Sequence, residues 1–185
     1  MQSSPVRQRT LVKGNSEMKR KCLATAITAL ILLMGVGSTI NAGERTKPQW
    51  KNLGDGAALA IKSNKMVLID VYTDWCGWCK KMDADVYSDS NVTKYINEVF
   101  VPVKLNAESS NIHDINGKTT TEAELAGRLG VRGYPTTVFV HPNGEVITLV
   151  PGYISSVTFL KILEYIGGEY YRQIKFEEFV SKYGK

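Results

Sequence analysis

The hydrophobic pattern changes period several times between Pro48 and the C-terminus, and each change marks an element. Pro48 to Asn64 reads as a lead-in and a first helix ending near Ser63-Asn64. Met66-Val67-Leu68-Ile69-Asp70-Val71-Tyr72 is short, apolar and β-branched, as expected of a strand buried on both faces. Cys76 to about Val86 suits a helix with Lys80 and Lys81 on its wet side. Ser88-Asp89-Ser90-Asn91 supplies N-cap chemistry for a helical turn or two with Val92, Tyr95 and Ile96 inward. Val99 to Leu105 alternates as a second core strand, and the polar residues 107–119, with Asn116-Gly117, predict a loop. Thr121-Glu122-Ala123-Glu124 has the form of a capping box opening a short helix to about Leu129, which Gly130 ends.

Thr136 to Val140 and Glu145 to Val150 flank His141-Pro142-Asn143-Gly144, where Asn-Gly marks a tight hairpin. Phe159, Ile162, Leu163 and Ile166 recur at helical spacing, so Ser155 to Ile166 is an amphipathic helix. Phe176, Phe179, Val180 and Tyr183 repeat that spacing in a final helix, placed at about 169–183. The order of elements describes an α/β fold with a mixed central sheet flanked by helices. Helical crossovers favour parallel pairing in the first half, and the hairpin forces antiparallel pairing in the second.

The net charge of +5, from 23 basic and 18 acidic residues, suggests nucleic acid or an anionic membrane until its location is considered. Residues 1–42 hold Arg7, Arg9, Lys13, Lys19, Arg20 and Lys21 against Glu17 alone, leaving 17 basic and 17 acidic residues in 43–185. The body is neutral, so the charge gives no ground for a nucleic-acid partner. Met18-Lys19-Arg20-Lys21, the apolar run Leu23 to Met34 and the small residues up to Ala42 have the anatomy of a secretory leader. That reading expects residues 1–42 to be a signal peptide cut near Ala42, with Met18 as a possible true start. It leaves 43–185 as a single domain, periplasmic or secreted. The uncharged stretch Cys22 to Gly43 admits an alternative, an N-terminal membrane anchor.

With the leader removed, Cys76 and Cys79 are the cysteines that remain. They lie in Trp75-Cys76-Gly77-Trp78-Cys79-Lys80, where the first core strand gives way to a helix. A structural disulfide over so short a loop adds little, about 2 kcal/mol in the chain-entropy model. A metal site lacks ligands, since His113 and His141 fall in expected exposed loops at no ligand spacing. Redox exchange fits best, because backbone N–H groups and the dipole at a helix N-terminus favour a thiolate. Cys76, expected to be partly exposed, is then the nucleophile, and Cys79 resolves the mixed disulfide.

These residues resemble the thioredoxin superfamily over most of 50–166. The similarity rests on Val67-Leu68-Ile69-Asp70 six residues before Cys76, on Trp75-Cys76-Gly77-x-Cys79-Lys80, and on Val103-Lys104-Leu105-Asn106. Gly130-Val131-Arg132-Gly133-Tyr134-Pro135-Thr136, Asn143-Gly144-Glu145 and Gly152 continue it in order. The resemblance implies a thioredoxin fold, and the final helix at about 169–183 is an addition outside the family's core pattern. The resemblance makes Asp70 a buried acid/base with a raised pKa that exchanges a proton with Cys79, and Lys104 the neighbour that tunes it. Pro135 becomes a cis-proline, and Trp75, Gly77, Trp78 and Tyr134 become substrate-binding positions. Trp78 departs from thioredoxin itself, which has proline there, and leaves the direction of electron flow open.

The resemblance implies an extracytoplasmic thiol–disulfide oxidoreductase acting on client proteins, as a monomer and most readily as a reductase. A membrane-bound thiol donor would restore the dithiol in an oxidising compartment. No metal or further cofactor is expected beyond the Cys76–Cys79 pair. A disulfide oxidase or isomerase of the same fold, and a non-catalytic binding or chaperone module, stand as alternatives.

Overall fold

The computed structural model describes residues 47–115 and 117–184. The leader, its cut near Ala42, the possible start at Met18 and the alternative anchor therefore lie outside the described residues. No helix among the described residues is long and apolar enough to cross a membrane.

Helix α1 (Leu53–Ser63) begins at Asn52, whose side chain accepts from the Asp55 N–H, and ends at Asn64 in the left-handed region. Strand β1 (Val67–Tyr72) leads through a turn to α2 (Gly77–Asp85). Helix α3 (Ser90–Val99) is capped by Asp89, which accepts from Asn91 and Val92 N–H. It runs through Val99, so strand β2 (Val101–Asn106) starts two residues later than the alternation suggests. Helix α4 (Glu122–Arg128) opens on the expected capping box, with Thr121 and Glu124 bonded reciprocally. Strands β5 (Thr136–Val140) and β6 (Val146–Pro151) form the expected hairpin, and α5 (Ser156–Gly167) follows. Gly144 takes φ +90 in the turn, closing it with an N–H to the His141 carbonyl at 2.9 Å.

The sheet order is β2-β1-β5-β6, with β1–β2 parallel and the other pairs antiparallel. This is the mixed thioredoxin-type sheet with helices on both faces. The register sets Lys104 and Thr137 on either side of Asp70. Because side chains alternate across a strand, those three face the same way, as do Val103, Ile69 and Val138 on the other side. One face packs Val67, Ile69, Val71, Val103, Leu105 and Val138 under α1 and α4. Gly56 lets α1 approach: a Cβ there would lie 2.3 Å from Val103 Cγ2. The other face packs Leu68, Tyr87, Phe100, Phe139, Phe159 and Leu163 under α2, α3 and α5.

Four expectations need correction. The polar segment 107–119 is not a plain loop: β3 (Ile112–Ile115) and β4 (Lys118–Thr121) pair there as a small antiparallel hairpin. The hairpin packs against α1. His113, expected exposed, is partly buried on β3 with Nε2 3.0 Å from Glu122 Oε1. His141 is also partly buried, its Nε2 3.2 Å from the Tyr171 hydroxyl. The final helix is also shorter than the expected range of about 169–183. Glu169 turns into the left-handed region, a single 3-10 turn covers Tyr170–Arg172, and α6 occupies only Phe176–Tyr183. Helical spacing at 176, 179, 180 and 183 marked that helix but says nothing of the residues before it. The extra C-terminal helix itself is present, with Phe179 buried against Tyr165 and Tyr170.

Candidate active site

β1 ends at Tyr72, and the chain turns so that the Cys76 N–H meets the Thr73 carbonyl at 3.1 Å. Cys76 is the N-cap of α2, and its Sγ accepts the Cys79 N–H at 3.0 Å. That donor and the helix N-terminus both stabilise negative charge on Sγ. Cys76 and Cys79 are joined in a disulfide, with Cα atoms 5.3 Å apart. Cys76 is 4% exposed, against the expected partial exposure, because its side chain turns inward to meet Cys79. The exposed positions are its neighbours: Gly77, Trp75 at 67% and Trp78 at 59%.

The tryptophans are held in place despite their exposure. The Trp75 indole N–H donates to the Glu108 carboxylate at 2.9 and 3.0 Å, and its ring meets Tyr134 edge-on at 6.0 Å. Trp78 lies 5.5 Å from the Tyr153 ring, over which Lys81 also sits. The Tyr134–Pro135 bond is cis, and the Pro135 carbonyl accepts the Gly152 N–H at 2.8 Å. Two aromatic pairs thus tie the cysteine segment to the β5 and β6 side. Lys80 and Lys81 are exposed as expected, Lys81 pairing with Asp85 at 2.5 Å.

Asp70 is 1% exposed in the middle of β1. Burial raises its carboxyl above the usual 3.8, Lys104 opposes that without cancelling it, and the Asp83 charge adds to the rise. Lys104 Nζ sits 2.5 Å from Asp70 Oδ2 and 2.7 Å from Asp83 Oδ1, ringed by Trp50, Tyr72 and Tyr87. Burial works against the ammonium, but the two carboxylates outweigh it and hold its pKa above 10.5. The Tyr87 hydroxyl donates to Asp70 Oδ1 at 3.2 Å.

The structure therefore brings Asp70 to Lys104, Trp75 to Tyr134 and Trp78 to Tyr153. It adds Asp83, Tyr87, Thr137, Glu108 and Tyr153, none singled out by the sequence reading. Thr137 was accessible through strand register, since it opposes Asp70 once β1 and β5 are paired. Asp83 lies four residues after Cys79, one helical turn on, a spacing that placed it on the cysteine helix but not against Lys104. Among the described residues no three of His, Cys, Asp and Glu gather as a metal site.

A family model described as a thioredoxin-like domain matches residues 53–167. A protein disulfide-isomerase of Hordeum vulgare is 34% identical over 94 residues, 51% of this chain and 16% of that protein. The thiol:disulfide interchange protein DsbD of Yersinia enterocolitica is 32% identical over 110 residues, 58% of this chain and 18% of that protein. The chain spans less than a fifth of the length of these curated relatives. A thioredoxin-fold protein from Helicobacter pylori superposes with a TM-score of 0.56 at 29% identity, covering 65% of this chain and 80% of that one. A putative disulphide-isomerase from Bacteroides thetaiotaomicron gives 0.53 at 29% identity, covering 67% and 95%. With a family match across most of its described length, a mixed β2-β1-β5-β6 sheet and a CxxC pair capping α2, the chain belongs to the thioredoxin-like domain family of the thioredoxin superfamily.

Proposed function

We propose that the protein is an extracytoplasmic thiol–disulfide oxidoreductase that reduces disulfides in client proteins. The observation that carries this is the Cys76–Cys79 pair at the start of α2, downstream of a buried acid on β1. The reduced Cys76 thiolate attacks a client disulfide, forming a mixed disulfide and releasing one client thiolate, which takes a proton from water. Cys79 then gives its proton to Asp70 and attacks Cys76 Sγ. The mixed disulfide breaks, the second client thiolate leaves, and two electrons have passed to the client as the Cys76–Cys79 bond forms.

The family resemblance of the Tyr134–Pro135 segment supports an extended client chain docked there strand-fashion. The Trp75–Tyr134 and Trp78–Tyr153 pairs support aromatic walls for apolar residues flanking the client cysteine. The basic and apolar leader pattern supports export across a membrane. A membrane-bound thiol donor would then return the enzyme to its dithiol form, with no cofactor beyond the cysteines.

Insulin reduction by dithiothreitol tests the activity. Addition of the protein is expected to accelerate it, and Cys76→Ser to abolish the acceleration. Absence of acceleration sinks the proposal in favour of a binding module, and activity unchanged in Cys76→Ser overturns Cys76 as the attacking thiol. The direction is read from the reduction potential: a value of about −270 mV supports a reductase, and one of about −120 mV an oxidase.

A further inference from the structure

We propose that Tyr87 and Thr137 are positioning residues, a reversible hydrogen-bond pair that lets Asp70 gain and lose a proton in a dry interior. Tyr87 OH lies 3.2 Å from Asp70 Oδ1 and 3.3 Å from Thr137 Oγ1. All three residues are buried. Thr137 stands directly opposite Asp70 in the β1–β5 register, whereas Tyr87 reaches in from the connection between α2 and α3. Its ring is fixed edge-on between Trp50 at 4.9 Å and Phe159 at 5.7 Å, so the hydroxyl hydrogen is what can turn.

Two hydrogen-bond arrangements satisfy this trio. When Asp70 is ionised, Tyr87 donates to Oδ1 and accepts from the Thr137 hydroxyl, while Lys104 donates to Oδ2. When Oδ1 carries a proton, Asp70 donates to the Tyr87 oxygen, and Tyr87 turns its own hydrogen to Thr137. The 3.3 Å Tyr87–Thr137 contact permits either atom as donor. No buried oxygen of the trio loses its partner in either state, which avoids the cost of a stranded polar group. Tyr87 does not itself give up its proton, since burial pushes the phenol well above 10. The other charged groups facing Asp70 are Lys104 from β2 and Asp83 from α2. The pair's use rests on the oxidoreductase reading, in which Cys79 supplies the proton, but its test does not.

The experiment follows the Asp70 carboxyl carbon by NMR titration in the oxidised protein. Tyr87→Phe keeps the ring and removes the hydroxyl, so both protonation states lose a partner and the ionised acid loses the stronger, charge-assisted bond. Its midpoint is expected to rise by about one unit. Thr137→Val is expected to give a smaller rise, and Thr137→Ser to restore the original midpoint, which a purely steric role for Thr137 would not do. An unchanged Asp70 midpoint in Tyr87→Phe, or in Thr137→Val should the first variant not fold, overturns the proposal. Shifts as expected in a protein that reduces no insulin would overturn the proposed activity and leave the pair standing.

Discussion

On one face of the sheet Val67, Ile69 and Val71 pack with Val103, Leu105 and Val138 under α1 and α4. On the other, the alternate residues Leu68, Asp70 and Tyr72 face α2, α3 and α5, where Tyr87, Phe100, Phe139 and Phe159 meet edge to face. The strands are the same, but the α1 face is aliphatic and keeps a cavity of about 140 Å³ lined by residues such as Leu53, Ala57, Val103 and Ile115. The α2 face is aromatic and carries the buried acid, its ammonium partner and two hydroxyls. Aliphatic side chains have nothing to donate to a carboxylate. A face built from tyrosine, threonine and lysine supplies donors and packing at once, which is why the chemistry sits there.

The difference can be broken from either side. Phe159→Ala removes a fully buried ring from the aromatic face and is expected to cost about 3–5 kcal/mol in urea unfolding. Asp70→Asn should slow client turnover by about a hundredfold or more, since in the proposed mechanism Asp70 takes the Cys79 proton. The same change should stabilise the fold at neutral pH. The raised Asp70 value means that the folded state holds this proton more tightly than the unfolded chain. Its contribution to stability is therefore complete below the usual 3.8 and is lost as pH climbs through the raised value. The advantage of Asp70→Asn should accordingly shrink as unfolding is repeated from about pH 8 down to about pH 4. An advantage that grows toward acid would mean that Asp70 is stabilising in its charged form. On the α1 face, Ala57→Met enters an existing void with a good helix former, and a gain of about 0.5–1 kcal/mol is expected. A loss there would show that the aliphatic face is packed as tightly as the aromatic one.

Much of this asymmetry was legible in residue order. Asp70 stands out as the lone charge in an apolar β-branched run, and the strand resembling the family's next one placed Lys104 beside it. The capping box at Thr121 and the Asn-Gly hairpin are local chemistry, so they could be read locally. What escaped depends on partners far along the chain. The β3–β4 hairpin has little hydrophobic alternation and gains its place from α1 and from the His113–Glu122 contact. Asp83 and Tyr87 follow the cysteine helix closely, but only tertiary packing turns them toward Lys104 and Asp70. Cys76 reads as partly exposed because it comes first at the head of the helix, and its burial accompanies the bond to Cys79.

The central claim is that Cys76 attacks and Cys79 resolves. Cys79→Ser removes the resolving thiol, so a client disulfide attacked by Cys76 should remain bound. Incubating reduced Cys79→Ser with a disulfide-containing peptide and measuring intact mass reads this directly. A peptide adduct on Cys76, released by dithiothreitol and absent from Cys76→Ser, is the expected result. A chain that gains no peptide mass, or an adduct that still forms in Cys76→Ser carrying an intact Cys79, would contradict the account.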